Sequence, residues 1–293
     1  MTVPGDAIVP PATIGMLGGG QLGKYAIVAA NAMGYRTIVV DPSAAAPAGV
    51  VANEHIVAAY DAPAALDQLA EHCAVVTTEF EHAPAAALDA LARGVRVAPT
   101  ATSVAVAQDR IVEKTFMVDH DIAVGPFVAL RAGDEIPGDI DALAAHGAVV
   151  KTARLGYDGK GQVRVANGEQ VADAWAELGG VDCIVESLLD LRVEVSVLVG
   201  RTSTGESVTW PVAENVHVDG ILDVSIVPAR IDAGLADRAV ALARSVADAL
   251  DYVGVLAVEM FAVGDDELLV NEIAPRPHNS GHWTLDACRT CLF

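Results

Sequence analysis

Two glutamates near the end of the chain are spaced so that they could share one metal ion. Glu259 belongs to the apolar run Val255–Phe261, and Glu272 belongs to the run Leu268–Ile273. A Gly/Asp segment between the runs predicts a β-hairpin, and a turn centred between residues 265 and 266 places Glu259 opposite Glu272 on one face. Such close like charges favour a shared proton or a divalent cation, and oxygen ligands suit Mg²⁺. Two solvent-facing glutamates on an edge strand are the plainer alternative.

A lysine and a glycine-rich loop form a second feature able to do chemistry. Lys151 ends the apolar strand Ala148–Val150, and the loop Gly156–Gln162 leads into the strand Val163–Val165. The N–H groups of such a loop can wrap phosphate oxygens. It is not a Walker A loop, because no Lys-Ser/Thr pair and no helix follow it. A plain flexible turn is the alternative interpretation.

Polar residues also follow later apolar strands. Cys183–Val185 is followed by Glu186–Leu189, and Glu194 lies in the strand-like run Val193–Val199. A backbone edge there could bind a base while Glu194 accepts hydrogen bonds from ribose hydroxyls. Taken alone, either glutamate is more simply a surface acid, and His217 is more simply a histidine with a local hydrogen bond.

The N-terminal part alternates strands with helices. A strand at Thr13–Leu17, the turn Gly18–Gly23, a helix from Gln21 to about Met33 and a strand at 37–40 make a βαβ opening. Further alternation over residues 64–97 predicts a parallel sheet covered on both faces, whose strand ends carry Gln21, Asp41 and Glu79. The G-x-G-x-x-G turn followed by Asp41 also fits a dinucleotide site, although glycines there can serve tight packing alone.

One long helix is predicted over Thr102–Asp119. It carries Arg110 and Lys114 on one face, since they lie four residues apart. A solvated basic face is the simpler interpretation of that pair. We place a domain boundary near residue 108.

Composition excludes several classes of partner. The length of 293 residues suggests about two domains, and the hydrophobic fraction of 53% supports large cores. The formal net charge of −21 repels nucleic acid and anionic membranes. No signal peptide, membrane-spanning run or disulfide framework is evident, and Cys288 and Cys291 lack a second ligand pair for zinc. A cytoplasmic protein with reduced thiols is expected.

Taken in order, these parts resemble the ATP-grasp superfamily, in which two α+β lobes hold MgATP between them. Three motifs narrow the resemblance to the N5-carboxyaminoimidazole ribonucleotide synthetases of purine biosynthesis: GGGQLG at 18–23, YDGKGQ at 157–162 and the highly specific NEIAPRPHNSGHWT at 271–284. The match extends to about Thr290. The implied fold class is α/β and α+β, with a Rossmann-like parallel-sheet domain at 1–108 and a two-lobed ATP-grasp domain at 109–293, whose flexible lobe spans about 125–190.

The resemblance also implies roles for individual residues. The ATP phosphates would contact Arg110, Lys151 and the loop residues Gly156, Tyr157, Asp158, Gly159, Lys160, Gly161 and Gln162. The adenine pocket would be lined by Glu186, Ser187, Leu188 and Leu189, with Glu194 on the ribose, His217 beside the nucleotide and Glu259 with Glu272 on Mg²⁺. Asn271 usually belongs with them, although strand alternation points it to the other face. The ribonucleotide and bicarbonate site would be lined by Gln21, Leu22, Glu79, Tyr157, Arg276, His278, Asn279 and Ser280, with Tyr157, Arg276 and His278 as catalytic residues.

The implied reaction is ATP-dependent carboxylation of aminoimidazole ribonucleotide by bicarbonate. Bicarbonate attacks the γ-phosphorus to give carboxyphosphate, while Mg²⁺, Lys151 and backbone amides spread the charge. The glycine loop must then exclude water, because carboxyphosphate hydrolyses readily. The exocyclic amine takes the carboxyl group directly or as CO₂, and Arg276 suits a planar carboxylate. The implied cofactors are ATP and Mg²⁺, the partners are small molecules, and a homodimer is the assembly to test.

Three alternatives stay open. A different ATP-grasp carboxylate–amine ligase is opposed by the His278–Trp283 region alone. An NAD-dependent oxidoreductase would rest on the glycine turn and Asp41, and would leave the glutamate pair unexplained. The third is a non-catalytic nucleotide-binding protein.

Family members continue into a small β-rich C-terminal domain with basic residues around the substrate phosphate, whereas this sequence stops at Phe293. From that difference we expect nucleotide binding to persist and turnover to be slow.

Overall fold

Three β-sheets organise the part of the chain that the computed structural model describes, which is residues 7–156, 160–218, 220–264 and 267–293. Among these residues, no helix is both long enough and apolar enough to cross a membrane. The predicted fold class, a parallel-sheet α/β domain followed by an α+β part with antiparallel sheets, is confirmed.

The N-terminal sheet is wholly parallel, with strand order β3-β2-β1-β4-β5. Its elements are β1 (Thr13–Leu17), α1 (Gln21–Ala32), β2 (Arg36–Asp41), α2 (Pro47–Val51), β3 (Glu54–Val57), α3 (Pro63–His72), β4 (Val75–Thr78), α4 (Ala85–Ala92) and β5 (Arg96–Val97). The strands are short apolar runs, as expected for strands buried on both faces. Their carboxyl ends bring Gly18–Gln21, Asp41 and Glu79 together.

Two helices, rather than one, connect this sheet to the rest of the chain: α5 (Ala101–Ala107) and α6 (Arg110–Asp119). The prediction of one helix over Thr102–Asp119 is wrong, because Asp109 adopts an extended backbone and caps the second helix. Its Oδ1 accepts hydrogen bonds from the N–H groups of Ile111 and Val112 at 3.0 and 3.2 Å. An aspartate favours such an N-cap and satisfies amides that otherwise have no partner.

A four-stranded antiparallel sheet follows, with order β6-β9-β7-β8. Its elements are β6 (Phe127–Leu130), α7 (Ile140–Leu143), β7 (Ala148–Thr152), β8 (Gln162–Val165), α8 (Val171–Glu177) and β9 (Cys183–Ser187). The buried side chains of these strands pack against α7 and α8 in a separate core. This sheet places Lys151 and Glu186 on adjacent strands.

The last sheet is antiparallel and has the order β13-β12-β10-β14-β15, with β11 paired to β10. Its elements are β10 (Leu191–Arg201), β11 (Ser207–Thr209), β12 (Ala213–Val218), β13 (Ile221–Ile226), α9 (Ala233–Ala249), β14 (Gly254–Val263), β15 (Glu267–Ala274) and the short α10 (Thr284–Ala287). The apolar stripe of α9 covers one face of β10 and β14 and forms the largest core of the chain. The opposite face is left to the polar residues of the site.

The hairpin of β14 and β15 confirms the predicted pairing of Glu259 with Glu272, but by a different route. Near the turn, Val263 pairs with Glu267 and Met260 pairs with Val270, a register in which Asn271 would lie opposite Glu259. A β-bulge between Glu259 and Met260 adds one residue to β15 and restores the Glu259–Glu272 pair. The predicted turn centre, at residues 265 and 266, lies outside the described residues.

Candidate active site

The two opposed glutamates differ sharply in their surroundings. The Glu272 carboxylate accepts a hydrogen bond from Arg110 Nη1 at 2.8 Å, whereas Glu259 is buried on β14 without an arginine partner among the described contacts. Burial and then the charge of Glu272 raise the pKa of Glu259 to about 8. Burial also acts to raise the pKa of Glu272, but Arg110 outweighs it and the pKa falls to about 2. The pKa values of the two opposed carboxyl groups therefore shift in opposite directions, because one of the two has an arginine partner and the other does not.

His278 closes the site on the Glu259 side. Its Nε2 lies 3.0 Å from Glu259 Oε1, and its Nδ1 lies 2.9 Å from Ser280 Oγ. Burial and then the nearby Arg276 lower the pKa of His278 to about 4, even though a carboxylate neighbour alone would act the other way. The raised pKa of Glu259 and the lowered pKa of His278 both disfavour an ion pair at this contact.

A chain of buried hydrogen bonds fixes the orientation of His278 from below. Ser280 is fully buried and accepts from Ser196 Oγ at 2.9 Å, and Asn215 Nδ2 donates to Ser196 Oγ at 2.9 Å. Ser225 Oγ then donates to Asn215 Oδ1 at 3.0 Å. The Ser280 hydroxyl already contacts Ser196 and His278, and its predicted ribonucleotide contact stays a prediction. Asn279, beside it, is exposed.

Arg276 joins this corner to the N-terminal sheet. Its Nε donates to Glu81 Oε2, and its Nη1 donates to the Pro277 carbonyl at 3.0 Å. Burial opposes the charge of Arg276, but Glu81 raises the pKa of the guanidinium above its usual range. Glu81, three residues beyond β4, was not among the predicted site residues. The sequence Glu79-Phe80-Glu81 after that strand could have indicated it, but only Glu79 was predicted to be a site residue.

Glu79 contacts the N-terminal glycine turn, and its predicted place in the ribonucleotide and bicarbonate site stays a prediction. Its Oε1 accepts from Gly20 N–H at 2.8 Å and its Oε2 accepts from Gly23 N–H at 3.0 Å. Both oxygens are thus engaged by the glycine turn itself. Gln21 and Leu22 were predicted to line the same substrate site as Glu79. The Gln21 side chain is exposed at the start of α1, whereas the Leu22 side chain is buried, so Leu22 could contact a ligand only through its backbone.

The glycine turn is also closed to a dinucleotide. Gly19 N–H donates to Asp41 Oδ2 at 2.8 Å, and Tyr60 OH donates to the same oxygen at 2.9 Å. Asp41 is therefore buried among protein donors, with Glu79 on the other side of the turn. A pyrophosphate would meet two carboxylates where the dinucleotide interpretation needs free N–H groups. That interpretation is wrong for this turn.

A cavity of about 150 Å³ lies between the four-stranded sheet and β10. It brings together seven of the predicted nucleotide residues, which are Lys151, Gln162, Glu186, Ser187, Leu188, Leu189 and Glu194. Val149 and Phe261 supply apolar walls suited to a flat base. A larger concavity of about 490 Å³ lies between α3 and α4, and none of the predicted site residues lines it.

Two lysines hold the Glu186 carboxylate beside this cavity. Lys151 Nζ lies 2.5 Å from Oε2, and the buried Lys114 Nζ lies 3.0 Å from Oε1. Burial alone would raise the pKa of Glu186, but the two ammonium groups outweigh it and the pKa falls to about 2. The prediction of a solvated basic face on α6 is wrong, because Lys114 is 3% exposed. The ammonium groups of Lys114 and Lys151 are thus held beside the cavity by one shared carboxylate, that of Glu186.

Glu194 and His217 face each other across β10 and β12. His217 Nδ1 lies 2.7 Å from Glu194 Oε2, and this contact raises the pKa of His217 against the effect of its burial. One oxygen of the Glu194 carboxylate therefore already has the His217 imidazole as a partner. Glu194 itself lines the cavity, where a ribose would follow a bound base.

The glycine-rich loop connects β7 and β8 as a hairpin, as predicted. Lys151 pairs with Gln162, and Thr152 N–H donates to the Gly161 carbonyl at 2.8 Å. Gly161 has a φ of +70°, which only glycine adopts readily. Gly156 and Lys160 border the loop, and the predicted contacts of Tyr157, Asp158 and Gly159 fall outside the described residues.

Comparison with known families agrees with this arrangement in both parts of the chain. Residues 11–108 match the ribonucleotide synthetase preATP-grasp domain, and residues 115–293 match the ATP-grasp domain. The fold and the site therefore define an ATP-grasp enzyme, a ligase that couples bond formation to ATP.

Full-length relatives narrow the family further. N5-carboxyaminoimidazole ribonucleotide synthase of Brucella melitensis is 44% identical over 98% of this chain and 80% of its own length, and that of Bacillus subtilis is 44% identical over 98% and 75%. A solved N5-carboxyaminoimidazole ribonucleotide synthetase with ADP superposes with a TM-score of 0.92 at 42% identity, covering 97% of this chain and 75% of the other. The chain belongs to the N5-carboxyaminoimidazole ribonucleotide synthase family.

One further solved structure contains a ribonucleotide in addition to ADP. The Aspergillus clavatus N5-carboxyaminoimidazole synthase, solved with ADP and 5-aminoimidazole ribonucleotide, superposes with a TM-score of 0.85 at 27% identity, over 96% of this chain and 74% of that one. That protein thus binds both molecules within the same fold.

Proposed function

We propose that this chain carboxylates 5-aminoimidazole ribonucleotide with bicarbonate and ATP, giving N5-carboxyaminoimidazole ribonucleotide, ADP and phosphate. The observation that carries the proposal is the Glu259–Glu272 pair, which Arg110 contacts on one side and His278 on the other. Because one carboxylate pair touches both halves of the site, phosphoryl transfer and capture of the carboxyl group can take place in one enclosed space. The family membership of the chain supports the same reaction.

The carboxylate pair fits Mg²⁺. Within the described residues, no group of three or more histidine, cysteine and acidic side chains is arranged to hold a metal ion alone. Mg²⁺ commonly takes one or two carboxylates together with substrate phosphates, so Glu259 and Glu272 would hold it jointly with ATP. Asn271 Oδ1, in the bulge beside them, is buried and has no hydrogen-bond partner in the described part of the chain. When bound, the cation would neutralise charge on the β- and γ-phosphates.

The protonation of Glu259 predicts a pH dependence for this metal site. The pKa of Glu259 is raised to about 8, and a carboxylate must lose its proton to bind a cation. The apparent Mg²⁺ affinity should therefore rise as pH increases towards 8, by about tenfold per pH unit well below the pKa, with release of a proton. Calorimetry of Mg²⁺-dependent ADP binding in buffers of different ionisation enthalpy measures both quantities. A Glu259→Gln variant should lose the dependence, and an unchanged slope in that variant would contradict the assignment.

The residues divide the reaction between them. Lys151 and the glycine-rich loop face the transferred phosphoryl group, where bicarbonate oxygen forms a bond to phosphorus as the bond to ADP breaks. Closure of the loop between β7 and β8 would keep water from the carboxyphosphate. The exocyclic amine then forms its bond to carbon, loses a proton, and phosphate leaves. Arg276, held by Glu81, presents its guanidinium to the planar carboxyl group.

A coupled assay of ADP release tests the reaction as a whole. ADP production should require ATP, Mg²⁺ and bicarbonate, and aminoimidazole ribonucleotide should stimulate it strongly. Other small amines should not replace the ribonucleotide. Stimulation by a different amine and not by aminoimidazole ribonucleotide would favour another ATP-grasp ligase and contradict the proposal.

Binding of nucleotide can be tested apart from turnover. MgATP present at about 100 times its dissociation constant should stabilise the chain by about 2.7 kcal/mol, visible as a rise in melting temperature. NAD should give no rise, because Asp41 and Glu79 already fill the glycine turn. A shift with NAD and none with MgATP would overturn the proposed site.

The division of the chain into a domain at 1–108 and a domain at 109–293 is also proposed. It is supported by the separate cores of the N-terminal sheet and of the last sheet. The flexible lobe at about 125–190 is likewise a proposal, and it corresponds to the four-stranded sheet, which has a third core. Homodimer formation and a cytoplasmic location stay predictions.

A further inference from the structure

Two buried ionisable side chains of α6 contact the backbone of β15 on either side of its bulge. Glu113 Oε1 accepts from the Ile273 N–H at 2.7 Å, and Lys114 Nζ donates to the Val270 carbonyl at 3.1 Å. Each of these side chains is 3% exposed. The chain thus buries a carboxyl group and an ammonium group at the place where β15 departs from regular pairing.

The contacts lie on the outer edge of the sheet. β15 is the terminal strand of its sheet, paired with β14 on one side. On the other side the described residues add one isolated bridge, at Val124 and Val270, where Val270 N–H donates to the Ala123 carbonyl at 2.8 Å. Without Glu113 and Lys114, the Ile273 N–H and the Val270 carbonyl would be polar groups at a buried edge, which costs free energy.

The bulge between these contacts decides which residue faces Glu259. Continuing the register near the turn would place Asn271 opposite Glu259 and send Glu272 to the other face. The extra residue of the bulge in β15 shifts the pairing by one, so that Glu272 rather than Asn271 lies opposite Glu259. Holding the backbone at residues 270 and 273 therefore holds Glu272 in place, together with the bond from Arg110, which lies one turn earlier on the same helix.

We propose that Glu113 and Lys114 are positioning residues that clamp the Asn271 bulge and so set Glu272 opposite Glu259 for the cation. This inference rests on the proposed MgATP site. Lys114 also contacts Glu186 at 3.0 Å, and thus connects the bulge to the strand end that borders the nucleotide cavity. Glu113 does not line the nucleotide cavity, whereas Lys114 does, so the effect of Glu113 can be separated from direct contact with the nucleotide.

The test measures ADP binding by calorimetry over a series of Mg²⁺ concentrations. Glu113→Met removes the acceptor of the Ile273 amide, and we expect the Mg²⁺ concentration for half-maximal enhancement to rise by about 10–100-fold, as for other residues that orient metal ligands. ADP binding in the presence of a chelator should stay near that of the wild type. Glu113→Gln retains an acceptor of the same size and should restore most of the Mg²⁺ response.

Controls separate positioning from general stability. Leu88→Ala removes a fully buried side chain from the core of the N-terminal sheet, and should lower the melting temperature without moving the Mg²⁺ midpoint. If Glu113→Met does not fold, slow hydrogen exchange at the Ile273 amide of the wild type supplies a measurement without mutation. An unshifted midpoint in folded Glu113→Met, or an Ile273 amide that exchanges as fast as a solvent-exposed one, would overturn the inference. A wild type without any Mg²⁺ response would instead overturn the proposed function.

Discussion

Replacing Lys151 with methionine is expected to lower ATP-dependent carboxylation by about 10²–10³-fold, the usual cost of removing one fixed donor from a site of developing charge. Lys151 ends β7 and lies 2.5 Å from Glu186, at the mouth of the nucleotide cavity. Its loss removes a positive charge that would otherwise face the transferred phosphoryl group. It also leaves the buried Glu186 carboxylate with Lys114 as its remaining partner. The measurement is kcat for ADP release at saturating substrates.

Arg131→Met provides the matched control for this variant. Arg131 belongs to an exposed ion pair with Asp182 near the same sheet, 46% and 41% exposed, so its loss removes an equal charge outside the site. Its kcat should stay close to that of the wild type. A Lys151→Met enzyme with the activity of the Arg131→Met control would show that Lys151 does not contact the reacting phosphate.

The conservative change Arg276→Lys is expected to lower kcat/KM for the ribonucleotide by about 10²-fold while leaving Mg²⁺-dependent ADP binding unchanged. Lysine keeps the charge but loses the planar fork, which here reaches Glu81 and the Pro277 carbonyl together. The reacting carboxyl group would then be misplaced relative to the amine. Steady-state kinetics with varied ribonucleotide, combined with calorimetry of ADP, separates the two effects.

Arg201→Lys is the corresponding control. Arg201 is a half-buried arginine that bonds Asp248 and the Tyr252 carbonyl at 2.9 and 2.8 Å, away from the site. Its replacement should affect stability and leave kcat/KM for the ribonucleotide near that of the wild type. Equal losses of ribonucleotide and ADP affinity in Arg276→Lys would contradict a role confined to the second half-reaction.

The sequence alone was sufficient for most of the local elements, though not for the break at Asp109 between α5 and α6, and for the register pair of Glu259 with Glu272. Two apolar runs around a Gly/Asp segment predicted the hairpin, and the pairing of Glu259 with Glu272 followed from symmetry about the turn. The predicted pair is correct because two differences from the predicted hairpin cancel. Near the turn, the observed pairing of β14 with β15 is shifted by one residue from the predicted pairing, and the bulge at Asn271 shifts it back. A bulge depends on what holds the edge of the strand, which here is a helix some 160 residues earlier.

Residues whose role depends on tertiary contact could not be predicted in this way. Glu113 and Lys114 lie in a helix with ordinary amphipathic spacing, and their burial arises only when β15 and β9 pack against α6. Glu79 and Glu81 stand two positions apart at one strand end. Sequence cannot tell that Glu79 faces its own glycine turn and that Glu81 reaches an arginine 195 residues away.

The glycine turn illustrates the same limit. A strand, G-x-G-x-x-G, a helix and an acid at the next strand end are compatible with a dinucleotide or with a closed turn. Which of the two the turn is depends on whether the Asp41 carboxylate faces a ligand or the Gly19 amide. In the structure it accepts a hydrogen bond from the Gly19 amide. Family resemblance, carried by the motif at 271–284, resolved what local pattern could not.

Transfer of isotope from bicarbonate to phosphate tests the central claim most directly. In the proposed reaction, the bicarbonate oxygen that attacks the γ-phosphorus stays bonded to phosphorus when the carboxyl carbon is released to the amine. With ¹⁸O-labelled bicarbonate and aminoimidazole ribonucleotide, we therefore expect one labelled oxygen in each phosphate formed, read by mass spectrometry or ³¹P NMR. Phosphate formed together with ADP and product but carrying no label would contradict activation of bicarbonate at this site.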